Sequence, residues 1–183
     1  MGKLLGSLNS SLQDFIKDQH LFFVSTADVD GRVNLSPKGM DALRILDGNR
    51  LIWLNLTGSG NETAAHLLGV NRMTIMWCSF SGAPLILRVY GKARTVQADD
   101  ADWEELLAHF PADLPGPRQV FDVQIESVQT SCGFGVPEYQ YQGERDQLNK
   151  WANQKGDDGI REYWTMRNQE SLDGKPTGIP VTE

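Results

Sequence analysis

Two tight-turn signals with no helix between them set the class of this fold. Asp30–Gly31, in "VSTADVDGRVNL", supplies the positive-φ pair that a two-residue hairpin turn requires. Asp47–Gly48–Asn49, in "ALRILDGNRLIWLNL", makes the second turn. Strands joined this way lie side by side and antiparallel. Three more strands follow: "RMTIMWCSF", "LILRVYGKARTV" with Gly91 placed to bulge or bend it, and "QVFDVQIESVQTSC". The last alternates, imperfectly, over Val120, Val123, Ile125 and Val128. Pro37 is expected to end the strand that returns from the first turn.

Helical periodicity lies between these groups and does not alternate with single strands. Leu4, Leu5, Leu8, Leu12, Phe15 and Ile16 predict an opening amphipathic helix. A second helix is predicted over Asn61–Val70. A third, in "DDADWEELLAHF", has acidic residues crowding its first turn, where the helix dipole favours them. Residues 141–170 read as one or two surface helices, followed by an extended tail. The pattern excludes a doubly wound parallel sheet. It predicts a mainly β fold, an antiparallel sheet of six or so strands curled into a closed or nearly closed barrel with peripheral helices. Residues 1–140 form the barrel domain and residues 141–183 a C-terminal extension packed on it.

Charge and cysteine usage narrow the function. The 183-residue chain carries a formal net charge of -7 and has no Lys/Arg cluster, so no nucleic-acid partner is expected. No run approaches the length of a membrane span and no signal peptide is evident. Cys78 and Cys132 make no disulfide framework, and His20, His66 and His109 lack metal-ligand spacing. A cytoplasmic protein is the expectation. Cys78 reads as core and Cys132 as a buried or near-turn structural cysteine.

An anion must then be held locally, against the overall charge. In "WLNLTGSGNET" a strand runs into the start of a helix, where free backbone N–H groups and the dipole favour an anion. Gly58 and Gly60 permit close approach. Asn61 and Thr63 offer side-chain donors. "RVNLSPKG" ends a strand with Ser36 and Lys38, a hydroxyl and a cation. Taken singly, Asn61 is an N-cap, the glycines are turn residues and Lys38 is a solvated charge. Were the two strands neighbours, their ends would converge on one phosphate.

At this point the blocks "FFVSTADVDGRVNLSPKG", "RLIWLNLTGSGNETAAHL", "RMTIMWCSFSGAPLILRVYGKA" and "SCGFGVPEY" resemble the pyridoxamine 5'-phosphate oxidase-related, FMN-binding split-barrel family, closest to its bacterial pyridoxamine oxidase-like branch. The resemblance spans roughly residues 10–140, in order and with similar spacing. It implies a mainly β fold, a six-stranded antiparallel split β-barrel with flanking helices, that forms a homodimer with two FMN sites at the subunit interface. By position, Arg32, Asn34, Leu35, Ser36, Pro37 and Lys38 would lie along the flavin and its ribityl phosphate, with Leu54, Asn55 and Thr57 on the adjacent strand. Asn61 and Thr63 would grip the phosphate, and Ile86 and Arg88 would line the flavin's other side. An FMN-dependent oxidoreductase acting on a small molecule is the leading expectation. A non-catalytic module that binds or senses flavin or haem is the alternative.

Two departures stand against the resemblance. Glu62 and Thr63 occupy the family's basic pair at the helix start, which leaves Lys38 as the main cation and sets a carboxylate beside the phosphate. The C-terminal third lacks the Arg-His-rich segment that holds the substrate phosphate. Arg145, Arg161 and Arg167 read as surface charges, while Trp151, Tyr163 and Trp164 read as packing for the C-terminal helices. Oxidation of pyridoxamine 5'-phosphate is therefore not expected, and no catalytic residue stands out.

Overall fold

The computed structural model describes residues 2–180. The elements run β1 (Leu4–Leu5), α1 (Ser10–Lys17), β2 (Phe22–Thr26), β3 (Asn34–Lys38), β4 (Leu43–Ile45), β5 (Arg50–Leu56), α2 (Glu62–Gly69), β6 (Met73–Cys78), β7 (Ile86–Val96), α3 (Trp103–Leu107), β8 (Pro117–Ser131) and α4 (Gln147–Arg167). The strands form one antiparallel sheet in the order β3-β2-β6-β7-β8-β5-β4, with β1 paired to β8. Six long strands curl into a split barrel; β1 and β4 are short additions.

The interior is aromatic. Trp53 stacks on Phe121 with centroids 4.6 Å apart, and Phe22 meets Trp53 edge-on at 6.2 Å. Such pairs add about 0.5–1.5 kcal/mol beyond their area burial. Val24, Leu51, Ile75, Leu87, Val89 and Val123 complete this inner core. A second core lies on the outer face of the sheet, where Trp103, Leu106 and Phe110 cover Ile52, Leu54, Val96 and Val120. Strand β5 is therefore buried on both faces, Leu51 and Trp53 inward and Ile52 and Leu54 outward, which is why its sequence shows no alternation.

Several expectations are corrected. Leu4 and Leu5 do not begin a helix; they pair with Gln129 and Val128 of β8. The helix starts later, where the Asn9 side chain accepts from the Leu12 N–H at 3.0 Å. Pro37 does not end β3, which continues to Lys38. As an edge strand paired only with β2, β3 tolerates a residue lacking an N–H. Helix α4 bends at Gly156, whose φ of 64° no ordinary helix residue adopts. The tail folds back on the barrel: Glu170 bridges Pro176, and Thr177 and Ile179 are buried.

Gly91 does mark the expected irregularity, a register shift between Tyr90 and Gly91 where β7 crosses β8. A Cβ added there would overlap the Gln124 carbonyl oxygen of the paired strand. Gly91→Ala is expected to destabilise the protein by about 1–3 kcal/mol, the usual cost of overpacking. Urea unfolding should show a lower midpoint with an unchanged slope.

Candidate functional site

Along β3 the side chains alternate. Leu35 and Pro37 point to solvent, while Asn34, Ser36 and Lys38 face a cavity of about 330 Å³. The opposite wall comes from Asn55 and Leu56 at the end of β5, from the 58–60 loop, and from Asn61, Glu62 and Thr63 where α2 begins. Arg118, at the start of β8, completes it. Strands β3 and β5 share no ladder, so they are not sheet neighbours as the convergence argument supposed. The curl of the sheet brings one edge of the strand order opposite strands near the other edge.

Two cations border this cavity. Lys38 is half-buried, with its ammonium 5.3 Å from the centroid of the Trp53 ring. Burial, and secondarily the charge of Arg118, push its pKa down to about 8. It is not the solvated charge that its sequence context suggests. Arg118 is 2% exposed, and burial lowers its pKa to about 10. Its guanidinium donates to the Gly58 carbonyl (3.2 Å), the Gly60 carbonyl (2.9 Å) and Oδ1 of Asn168 (2.8 Å). Its Nε is buried without a partner. Among the described residues, neither cation has a carboxylate within ion-pair distance.

The neutral groups are poised as donors. Thr63 Oγ1 accepts from Asn34 Nδ2 at 3.2 Å, which leaves its own proton for another acceptor. Asn61 precedes α2 but makes no side-chain cap. Its Nδ2 instead donates to the Asn168 carbonyl (3.4 Å), and its Oδ1 is buried and unpartnered. The first N–H groups of α2 lack helical acceptors, as at any helix start. Glu62 brings its carboxylate to the cavity wall. Its carboxylate accepts from the Leu172 N–H of the tail, at 3.0 and 3.1 Å.

Asn34, Ser36, Lys38, Asn55, Asn61 and Thr63 thus line one cavity. The other residues that the resemblance pointed to lie elsewhere. Leu54 turns its side chain into the outer core. Thr57 Oγ1 is engaged by the Gly116 carbonyl (2.9 Å) and by Trp164 Nε1 (2.8 Å), which also fastens α4 to the barrel. Arg32 is ion-paired with Asp173 of the tail. Ile86 and Arg88 lie on β7, where Arg88 donates to Ser131 Oγ at 3.3 Å, away from the cavity. Cys78 is buried, and Cys132 is exposed rather than buried.

Arg118 is the residue that sequence reasoning missed. Its only signal was the broken alternation at the start of "PRQVFDV", where Arg118, Gln119, Val120 and Phe121 are all buried in succession.

Residues 8–132 match the family model for pyridoxamine 5'-phosphate oxidase. The chain belongs to the pyridoxamine 5'-phosphate oxidase family. It is 34% identical over 187 aligned positions to the Aspergillus flavus pyridoxamine 5'-phosphate oxidase family protein ustO, covering 93% of this chain and 75% of that protein. Solved structures show the same fold at lower identity. Against HupZ from Group A Streptococcus the TM-score is 0.52 at 22% identity, over 66% of this chain and 91% of that one. A pyridoxamine 5'-phosphate oxidase-type protein of Lactobacillus delbrueckii gives 0.52 at 20%, over 68% and 94%. Among the described residues no helix is long and apolar enough to cross a membrane.

In this family member Lys38 carries a pH signature. Its folded pKa of about 8 lies below the 10.5 of an unburied lysine. Between these values the unfolded chain binds more protons, so this group makes stability rise with pH across the window. Lys38→Met should stabilise the apoprotein at pH 7 by roughly 1–3 kcal/mol, allowing for partial solvent access. The gap should narrow as pH climbs from 8 towards 10.5, as measured by urea unfolding at each pH.

Proposed function

We propose that this chain is an FMN-binding flavoprotein, and that the 330 Å³ cavity takes the 5'-phosphate. One observation carries the reading. Two desolvated cations, neither with a carboxylate within ion-pair distance among the described residues, face one small cavity at a helix start, in a chain of net charge -7. Burying a cation is costly unless something compensates it. A phosphate monoester, with close to two negative charges, matches Lys38 and Arg118 in number, while Thr63, Ser36 and the α2 amides supply hydrogen bonds. The unpartnered Arg118 Nε marks a donor in this wall that the chain alone leaves unfilled. Membership of a family that generally binds flavin selects FMN among phosphate monoesters.

When bound, flavin supplies reversible two-electron transfer, and the protein binds, orients and tunes it. We read the activity as an oxidoreduction of a small molecule. A homodimer belongs to the same proposal. Ile86 and Arg88 lie away from the cavity of their own chain, so they reach a flavin only from a second copy. The free edge strand β3, with Val33 and Leu35 70% and 64% exposed beside the site, offers that copy an apolar face.

Titrating the apoprotein with FMN and riboflavin tests the cradle. Lys38→Ala should weaken FMN ten- to hundredfold, the value of one charge-assisted contact of about 1.5–3 kcal/mol. Riboflavin, lacking the phosphate, should be nearly indifferent to the change. Equal loss of both flavins, or no loss of either, would sink the reading. FMN affinity should also fall as Lys38 deprotonates at alkaline pH. The midpoint in the complex should lie above 8, because the bound dianion favours the charged amine.

Turnover of pyridoxamine 5'-phosphate itself should stay below a kcat/KM of about 10⁴ M⁻¹s⁻¹, the low end of ordinary enzyme efficiency. Product detection in an oxidase assay decides this, since residues 141–180 show no basic cluster for a second phosphate.

A further inference from the structure

Asn168 follows the last turn of α4, beyond the stretch that matches the family model, and is completely buried. It touches three separate parts of the cavity wall. Its Oδ1 accepts from Arg118 at 2.8 Å, and its Nδ2 donates to the Gly58 carbonyl at 3.1 Å. Its backbone carbonyl accepts from Asn61 Nδ2 at 3.4 Å and from Thr177 Oγ1 at 2.6 Å. The Thr177 bond ties this hub to the returning tail.

The chemistry of the contact to Arg118 is specific. The guanidinium has three acceptors, namely two backbone carbonyls and a side-chain amide, and all are neutral. They fix its orientation and leave its charge available. An aspartate at 168 would keep the acceptor for Arg118 but lose the donor to the Gly58 carbonyl, and it would cancel the charge of Arg118, because a buried carboxylate and guanidinium form an ion pair.

We propose that Asn168 is a positioning residue for phosphate recognition. It holds Arg118 and the 58–60 loop with a neutral amide, so that the C-terminal extension is a working part of the cofactor site. The proposal rests on the FMN reading above. It also implies that docking of the 168–177 segment and binding of phosphate favour one another, because linkage is reciprocal.

The test compares Asn168→Asp and Asn168→Ala with wild type in the full chain. The first readout needs no flavin: the Lys38 titration midpoint of the apoprotein, followed by its side-chain carbon NMR shift. Asn168→Asp should raise that midpoint, because Arg118 then has a counter-charge, whereas Asn168→Ala should not raise it as far. The second readout is the ratio of FMN to riboflavin affinity. Asn168→Asp should weaken FMN about tenfold or more and change riboflavin by less than about twofold, on the reasoning that only phosphate senses the lost cation. An unmoved Lys38 midpoint, an equal loss of both flavins, or unchanged FMN binding would each overturn the proposal. If Asn168→Asp fails to fold, Asn168→Ala, which removes the contacts to both Arg118 and the 58–60 loop, carries the same affinity comparison. An FMN-selective loss then supports the role and an equal loss refutes it. If wild type binds neither flavin, the FMN reading fails, and the Lys38 midpoint alone decides whether Asn168 governs the charge at the cavity.

Discussion

Strand β8 is the constraint on which the rest of the molecule depends. Within its fifteen residues, the stretch from Val120 to Ser131 pairs along one edge with the whole of β7. Its other edge is shared between β5 at the start and β1 near the end. A strand so engaged cannot shift register without moving every inward side chain to the other face. Phe121 and Val123 are thereby fixed in the inner core, and Val120 in the outer one. Arg118, just upstream, is fixed at the rim of the barrel, where β5 ends. The cation at the cavity is thus placed by the most heavily paired element of the fold rather than by a loop.

That placement has a thermodynamic cost that the barrel core must offset. A desolvated guanidinium and a desolvated ammonium in the same wall repel one another, and the charge of Arg118 lowers the proton affinity of Lys38 further below what burial imposes. Surface ion pairs elsewhere, such as Arg50 with Asp122 at 2.8 Å, show that acidic partners were available to this acidic chain. Among the described residues, neither Lys38 nor Arg118 has such a partner within ion-pair distance. A ligand that binds only the folded state returns the lost stability by mass action. An anion is the ligand class for which such a wall is the better solvent.

Much of the barrel was legible because its signals are local. The Asp47–Gly48–Asn49 turn determines its own hairpin, and Gly91 announces its bulge whatever else the chain does. Asp30–Gly31 also marks a hairpin, but its strands are joined by the whole of 27–33 rather than by a two-residue turn, and of the pair only Gly31 has positive φ. What escaped depends on partners distant in sequence. Leu4 and Leu5 have helical spacing with Leu8 and Leu12, yet the unsatisfied edge of β8 at Gln129 captures them as a strand. Asn61 carries the sequence signature of a cap, but its side chain is claimed by Asn168, 107 residues away. Glu62 is likewise engaged from afar, its carboxylate accepting from the Leu172 N–H of the tail, 110 residues on. Arg118 was invisible because one arginine opening an apolar strand ordinarily points to solvent. Only the curl of the sheet and the return of α4 enclose it.

The enclosure also explains why neutral acceptors suffice to hold Arg118. The Asn168 amide, just past the end of α4, accepts from Arg118 at 2.8 Å, and the Gly58 and Gly60 carbonyls accept from the same guanidinium. These dipoles orient the cation without neutralising it, which a carboxylate would do outright. The N-terminal end of another helix, α2, opens onto the same cavity with its positive end. The family-matched segment contributes that helix start and the extension contributes the amide behind Arg118, so the wall of the cavity is complete only when residues beyond 132 have folded back onto it.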